Sequence, residues 1–214
     1  MIRYLSHLFS WVFLPLLMPL YGLLITMYYP IHSYHSSRIS MYDIPPRQKW
    51  LLFAIFAVFS FIAPSLSYLG LYKFKIITTL DMEKREERNL PLIIMLIYGL
   101  LLFYLVQQID TMQILPIFYS TLALSGVLVT TVFTILTRYL KISMHAGGAG
   151  ILCGYLFSFF IQQPNPSLFW LCIGIVIAGT VIGSRWYLHK HTLRELVLGF
   201  SVAAFLTGIV VYSI

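Results

Sequence analysis

The stretch "SRWYLHKHTLRE", residues 184–195, sets two arginines, a lysine, two histidines and a glutamate within eleven residues, between two apolar runs. His191 and Glu195 stand four apart, which on a helix places them one turn from each other on one face. A carboxylate so placed can accept a hydrogen bond from one imidazole nitrogen and fix the tautomer, leaving the other nitrogen as base or nucleophile. Arg185, six residues earlier, offers a planar fork of donors suited to phosphate, and a second guanidinium converging on it, Arg88, would favour a dianionic group. His145 supplies a second imidazole from another segment. Two histidines, a carboxylate and several cations together suit phosphoryl transfer.

The elements that must position these residues are membrane helices. A chain of 214 residues that is 59% hydrophobic and 10% charged, with a mean hydropathy of +0.86, lies outside the range of soluble globular domains. Crossing the hydrocarbon core takes about 20 helical residues, and such runs are read at 5–29, 50–72, 92–108, 114–137, 146–162, 168–183 and 193–213. The expected fold is an all-α integral membrane protein, a single transmembrane domain over 1–214 built as a polytopic bundle of six to seven helices. The first run lacks a short apolar core followed by a small-residue cleavage site and is read as a retained helix. Cys153 and Cys172 fall inside predicted helices and read as small core residues. No extended basic soluble region exists to bind nucleic acid.

With seven crossings, face one holds the N-terminus, 73–91, 138–145 and 184–192, and face two holds 30–49, 109–113, 163–167 and the C-terminus. Eleven of the 14 Lys and Arg residues lie on face one, leaving Arg38, Arg47 and Lys49 on face two. Three polar islands border helix ends on face one: "DMEKREERNLPL" at 81–92, "RYLKISMH" at 138–145 and the opening stretch. Hairpins over 92–137 and 146–183 would bring them to one interface. The bland reading of Lys73, Lys75, Arg138, Lys141, Lys190 and Arg194 is headgroup anchoring. On face two, "IDTMQ" and "QQPNPS" read as turns, and the 30–49 loop, the long segment of that face with His32, His35 and the pair Pro45-Pro46, is not expected to be catalytic. Gly150 and Gly154 have the spacing for close helix contact.

The pattern Ser184-Arg185, five residues, His191, three residues, Glu195 resembles the third signature of the type-2 phosphatidic acid phosphatase superfamily, the lipid phosphate phosphatases. "ISMH" at 142–145 is similar to the second, Pro-Ser-Gly-His, keeping Ser143 and His145 but carrying Ile142 and Met144 in place of Pro and Gly. The first, Lys, six residues, Arg-Pro, has a counterpart in Arg88, followed by Asn89, with Asp81 at the lysine position and Lys84 as a substitute cation. The likeness covers about residues 80–200. It implies that His191 attacks phosphorus to form a phosphohistidine, with Glu195, where the family has Asp, orienting the imidazole. His145 would protonate the leaving group and then activate water, while Arg88, Arg185, Ser143 and Lys84 would hold the phosphoryl oxygens. The implied substrate is a lipid phosphate or polyprenyl diphosphate, and the scheme requires no metal or other cofactor. His189 is a competitor for the nucleophile, but its spacing fits neither Arg185 nor Glu195.

Two other functions are compatible with these residues. One is a membrane metalloenzyme with His145, His189, His191, Glu195 and Asp81 as ligands; the other is a non-catalytic lipid-phosphate binding or transport protein. The expected location is a multi-pass inner membrane. Charge bias puts face one in the cytoplasm, whereas the resemblance implies a site facing the periplasm.

Overall fold

The computed structural model describes residues 1–30, 40–82, 84–110, 115–163 and 165–213. His32, His35 and Arg38 lie outside the described residues. Every regular element among those described is a helix: α1 (Ile2–Val12), α2 (Met18–Tyr28), α3 (Pro46–Lys73), α4 (Glu86–Ile109), α5 (Ile117–Leu136), α6 (Met144–Ile161), α7 (Leu168–Tyr187) and α8 (Leu193–Tyr212). Helices α3 to α8 are each long and apolar enough to cross a membrane, which makes this a multi-pass helical bundle.

The 5–29 run, expected as one helix, is broken. α1 ends before Pro15, a short 3-10 turn follows over Pro15–Leu17, and α2 departs at 44°. Pro15 has no N–H to continue the ladder and restricts Leu14, which is extended at ψ 142°. Six crossings are therefore continuous, and a seventh exists only if the bent pair is counted as one. Pro64 acts differently inside α3. Its ring would meet the carbonyl four residues back, and the helix widens to a π turn over Val58–Ile62 just before it, keeping its course.

α6 is the central helix, bordered by α2, α5, α7 and α8, and it packs most extensively against α8. The approach is close because of Gly150 and Gly154. A Cβ at Gly150 would fall 2.4 Å from the Phe200 carbonyl oxygen, and one at Gly154 2.4 Å from that of Ala204. Aromatic and aliphatic side chains fill the remaining core, with Tyr155, Phe160 and Leu152 of α6 fully buried beside Leu23 and Met27 of α2. α1 lies on α7, turning Ser6 and Ser10 inward and Leu5, Leu8 and Trp11 outward. Small residues on its inner side permit that contact. Cys153 is partly buried and its thiol donates to the Gly174 carbonyl, but Cys172 is exposed on the outside of the bundle and is not a core residue.

Candidate functional site

The three polar islands meet where α4, α6 and α8 begin and α7 ends. From the first island, buried Arg88 donates through Nε to the Met82 carbonyl at 2.8 Å and through Nη1 to the Ile142 carbonyl of the second island at 2.7 Å. Met82 adopts φ 47°, a left-handed conformation that bulky residues rarely accept, and its carbonyl is the one that receives Arg88. Arg85 donates to the Tyr139 carbonyl at 3.2 Å. The second and third islands are tied by the Ser143 amide to the Glu195 carbonyl at 3.4 Å and by Lys141 Nζ to the Lys190 carbonyl at 3.3 Å. First and third are joined by ion pairs: Asp81 Oδ1 lies 3.2 Å from Arg185 Nη1, and Oδ2 lies 3.6 Å from Lys190 Nζ.

The His191–Glu195 pair forms, with Nδ1 and Oε2 2.7 Å apart, but not on a shared helical face. Thr192 caps α8, its Oγ accepting from the Glu195 amide at 3.4 Å, so His191 stands just outside the helix. Thr192 and Glu195 have the spacing of a capping box, yet the glutamate reaches back to the imidazole of His191. The His191 side chain is 3% exposed. Burial pulls its pKa down to about 4 against the upward pull of the Glu195 hydrogen bond, and Arg88 and Arg185 lower it further. In the neutral ring, with Glu195 as acceptor, the proton is on Nδ1 and the lone pair on Nε2.

His145 sits in the first turn of α6, beside a capping serine. Ser143 is fully buried and its Oγ accepts from the Ala146 amide at 3.3 Å, which fixes the turn that carries His145. A Cβ on Gly199 of α8 would lie 2.7 Å from the Ser143 carbonyl, so this cap and α8 touch through backbone. Both histidines lie within electrostatic reach of Arg185.

A cavity of about 600 Å³ opens in front of this cluster. Asp81, His145, Arg185 and Lys190 form its polar end, and Trp11, Leu14, Phe61 and Leu69 are among the side chains of its apolar walls. Its size and lining suit a small amphiphilic ligand. Two buried polar atoms of cavity-lining residues, Arg185 Nε and Ser10 Oγ, have no hydrogen-bond partner among the described residues. An orphaned guanidinium nitrogen on a side chain only 4% exposed is costly unless a ligand supplies the acceptor. Asp81 is the carboxylate already there. Burial would raise its pKa, but Arg185, with His145 and Lys190, holds it below the ordinary carboxylate range, so it stays anionic.

Of the residues expected in the site, His145, Arg185, His191, Glu195, Arg88 and Ser143 are gathered in this cluster, although His191, Glu195, Arg88 and Ser143 stand behind the cavity wall. Lys84 is not. Its side chain is 66% exposed and lies 3.9 Å from Glu87, whose carboxylate is held by Thr78. His189 is exposed at φ 53°. Asp81, Lys190 and Ser10 are additional members. Lys190 reads as a headgroup anchor in sequence, and the signal for α1 was the pair Ser6 and Ser10, one turn apart in an apolar run. Among the described residues, no three His, Cys, Asp or Glu side chains converge as ligands for a metal ion. Compared with models of protein families, with curated proteins and with solved structures, the chain matches none.

Proposed function

We propose that this chain is a membrane phosphatase that hydrolyses a lipid phosphate or polyprenyl diphosphate through a phosphohistidine, as its likeness to the lipid phosphate phosphatases implies. The observation that carries the reading is the buried His191–Glu195 pair set beside Arg88 and Arg185, the latter with an unpartnered Nε. His191 Nε2 attacks phosphorus, the bond from phosphorus to the leaving oxygen breaks, and His145 gives that oxygen its proton. Water then attacks the phosphohistidine, losing its proton to His145, and releases phosphate with His191 restored. Glu195 holds the ring and stabilises its charge. The two guanidiniums stabilise the phosphoryl oxygens as charge develops. The cavity accommodates the hydrocarbon of such a substrate along Trp11, Leu14, Phe61 and Leu69, and its phosphate enters at the polar end, where it must pass between Arg185 and His145 to reach His191 behind the wall. The protein belongs in the inner membrane on this reading, with the site on the cytoplasmic side by charge bias.

The test is phosphate release from detergent-solubilised lipid phosphates, with and without chelator. His191→Ala should lose about 10³-fold or more in kcat, the scale on which removal of a nucleophile acts, and acid-labile phosphate should be trapped on wild type only. Activity unchanged by this substitution would refute the assignment. A non-catalytic carrier for the same ligand is the second reading, favoured by the Asp81 carboxylate already seated on Arg185. Tight lipid-phosphate binding without turnover would select it.

A further inference from the structure

A second cavity, of about 440 Å³, adjoins the first and is lined by Arg3, His7, Tyr187, Leu188, His189 and Lys190. We propose that it is a subsite for a second phosphate group of the same lipid, so that the ligand of this protein is a lipid diphosphate in preference to a lipid monophosphate. The assignment of the first phosphate rests on the function proposed above; the second subsite stands on its own geometry.

Among the described residues the lining holds two cations, two imidazoles and a phenol, and no carboxylate or thiolate, a set that attracts anions and offers little to a divalent cation. Arg3 and His7 are four apart on α1 and share one face. His7 and Lys190 line both cavities, so the two spaces meet at those side chains. The Asp81 carboxylate shows how near the cations stand. Its one oxygen reaches Arg185 at 3.2 Å and the other reaches Lys190 at 3.6 Å, so a single small anion spans the polar end of the first cavity and the entrance to the second. A diphosphate has the same bridging geometry with a longer reach. The terminal phosphoryl group would sit on Arg185 beside His145, and the lipid-linked one would lie at Lys190 and His7, toward Arg3 and His189, with the hydrocarbon leaving along Trp11 and Leu14.

The end of α7 is built to hold that second wall. The Lys190 amide donates to the Arg185 carbonyl at 3.1 Å and the His189 amide to the Trp186 carbonyl at 2.9 Å, a Schellman pair that fixes Lys190 relative to Arg185. In this motif the left-handed position favours glycine, which carries no Cβ penalty. Here it is His189, at φ 53°. An imidazole stands where glycine would cost the backbone less, and it lines a basic cavity.

The test uses the full chain in detergent, carrying His191→Ala to prevent turnover, with farnesyl diphosphate and farnesyl monophosphate as probes of equilibrium binding. The diphosphate should bind at least about tenfold tighter, and Arg3→Gln combined with His189→Gly should reduce that preference about tenfold. Glycine keeps the left-handed turn, so His189→Gly removes the imidazole without endangering the fold. Inorganic pyrophosphate should compete with the diphosphate better than inorganic phosphate does. Three results would overturn the subsite: a preference near one, a preference the two substitutions do not move, or equal weakening of both lipids, which is general headgroup anchoring. Saturation of this cavity by inorganic phosphate alone, with no preference between the lipids, would make the released product its ligand and also overturn it. Because binding is read without chemistry, failure of wild type to release phosphate would remove the phosphatase reading and leave this result standing.

Discussion

Asp81 pairs with Arg185 and Lys190, and on the proposed function it holds the position that a phosphate would take and governs how readily an anionic ligand enters. Its carboxylate lies 3.2 Å from a guanidinium whose Nε has no partner among the described residues, so the resting site carries its own counterion. Asp81 is 37% exposed, and an ion pair of that exposure is worth about 1 kcal/mol. Asp81→Asn should therefore lower KM for a lipid phosphate about fivefold, with kcat little changed. Steady-state kinetics decide the matter, since a raised KM would mean that Asp81 holds Arg185 in place and does not compete with substrate. This residue also shows where reading by spacing stops. The pairing of His191 with Glu195 and the recruitment of Arg88, Arg185 and His145 follow from residue types and intervals. The meeting of Asp81 with Lys190 depends on how the 74–85 loop folds over the end of α7, which no local periodicity encodes. Lys84 fails for the same reason, because Glu87, anchored by Thr78, holds it on its own loop.

At the scale of helices, the α6–α8 contact decides where the site's residues stand, for His145 opens α6 and Glu195 opens α8. The contact is set by Gly154, where a Cβ would lie 2.4 Å from the Ala204 carbonyl oxygen, and by Gly150 one turn before. Alanine is the better helix former by about 1 kcal/mol, but a clash with backbone cannot be relieved by a rotamer change and costs typically 1–3 kcal/mol. Gly154→Ala should lower the thermal midpoint of the purified protein by several degrees, whereas Gly179→Ala, with nothing within 4 Å, should leave it unchanged or raise it slightly. Equal midpoints for the two variants would show that this packing carries no such load. Glycine spacing made this contact legible in advance. The break between α1 and α2 was less so, because prolines are tolerated within membrane helices when neighbours satisfy the freed groups. Pro15 ends a helix here and Pro64 only widens one.

For the whole molecule, the proposed orientation rests on the distribution of charge. Eleven basic residues lie on face one, but Arg88, Arg185 and Lys190 belong to the site and would be there in either orientation. Of the remaining eight, seven are exposed: Arg3, Lys73, Lys75, Lys84, Arg85, Arg138 and Arg194. On face two, Arg47 is exposed, whereas Lys49 is buried and donates to the Tyr42 carbonyl at 2.7 Å. Exposed bases beside helix ends are the ones that set orientation, since they must remain on the side where insertion leaves them. On the charge rule this contrast is the reason for proposing that face one, and the site with it, lies in the cytoplasm. Glu86, 77% exposed at the start of α4, provides a reporter at that face, and Arg47 provides one at the other. In a background with Cys153→Ala and Cys172→Ala, a membrane-impermeant maleimide should label Arg47→Cys in intact cells and Glu86→Cys only after permeabilisation. The reverse pattern would turn the bundle over, and the polar end of the cavity would then draw its ligand from the opposite leaflet.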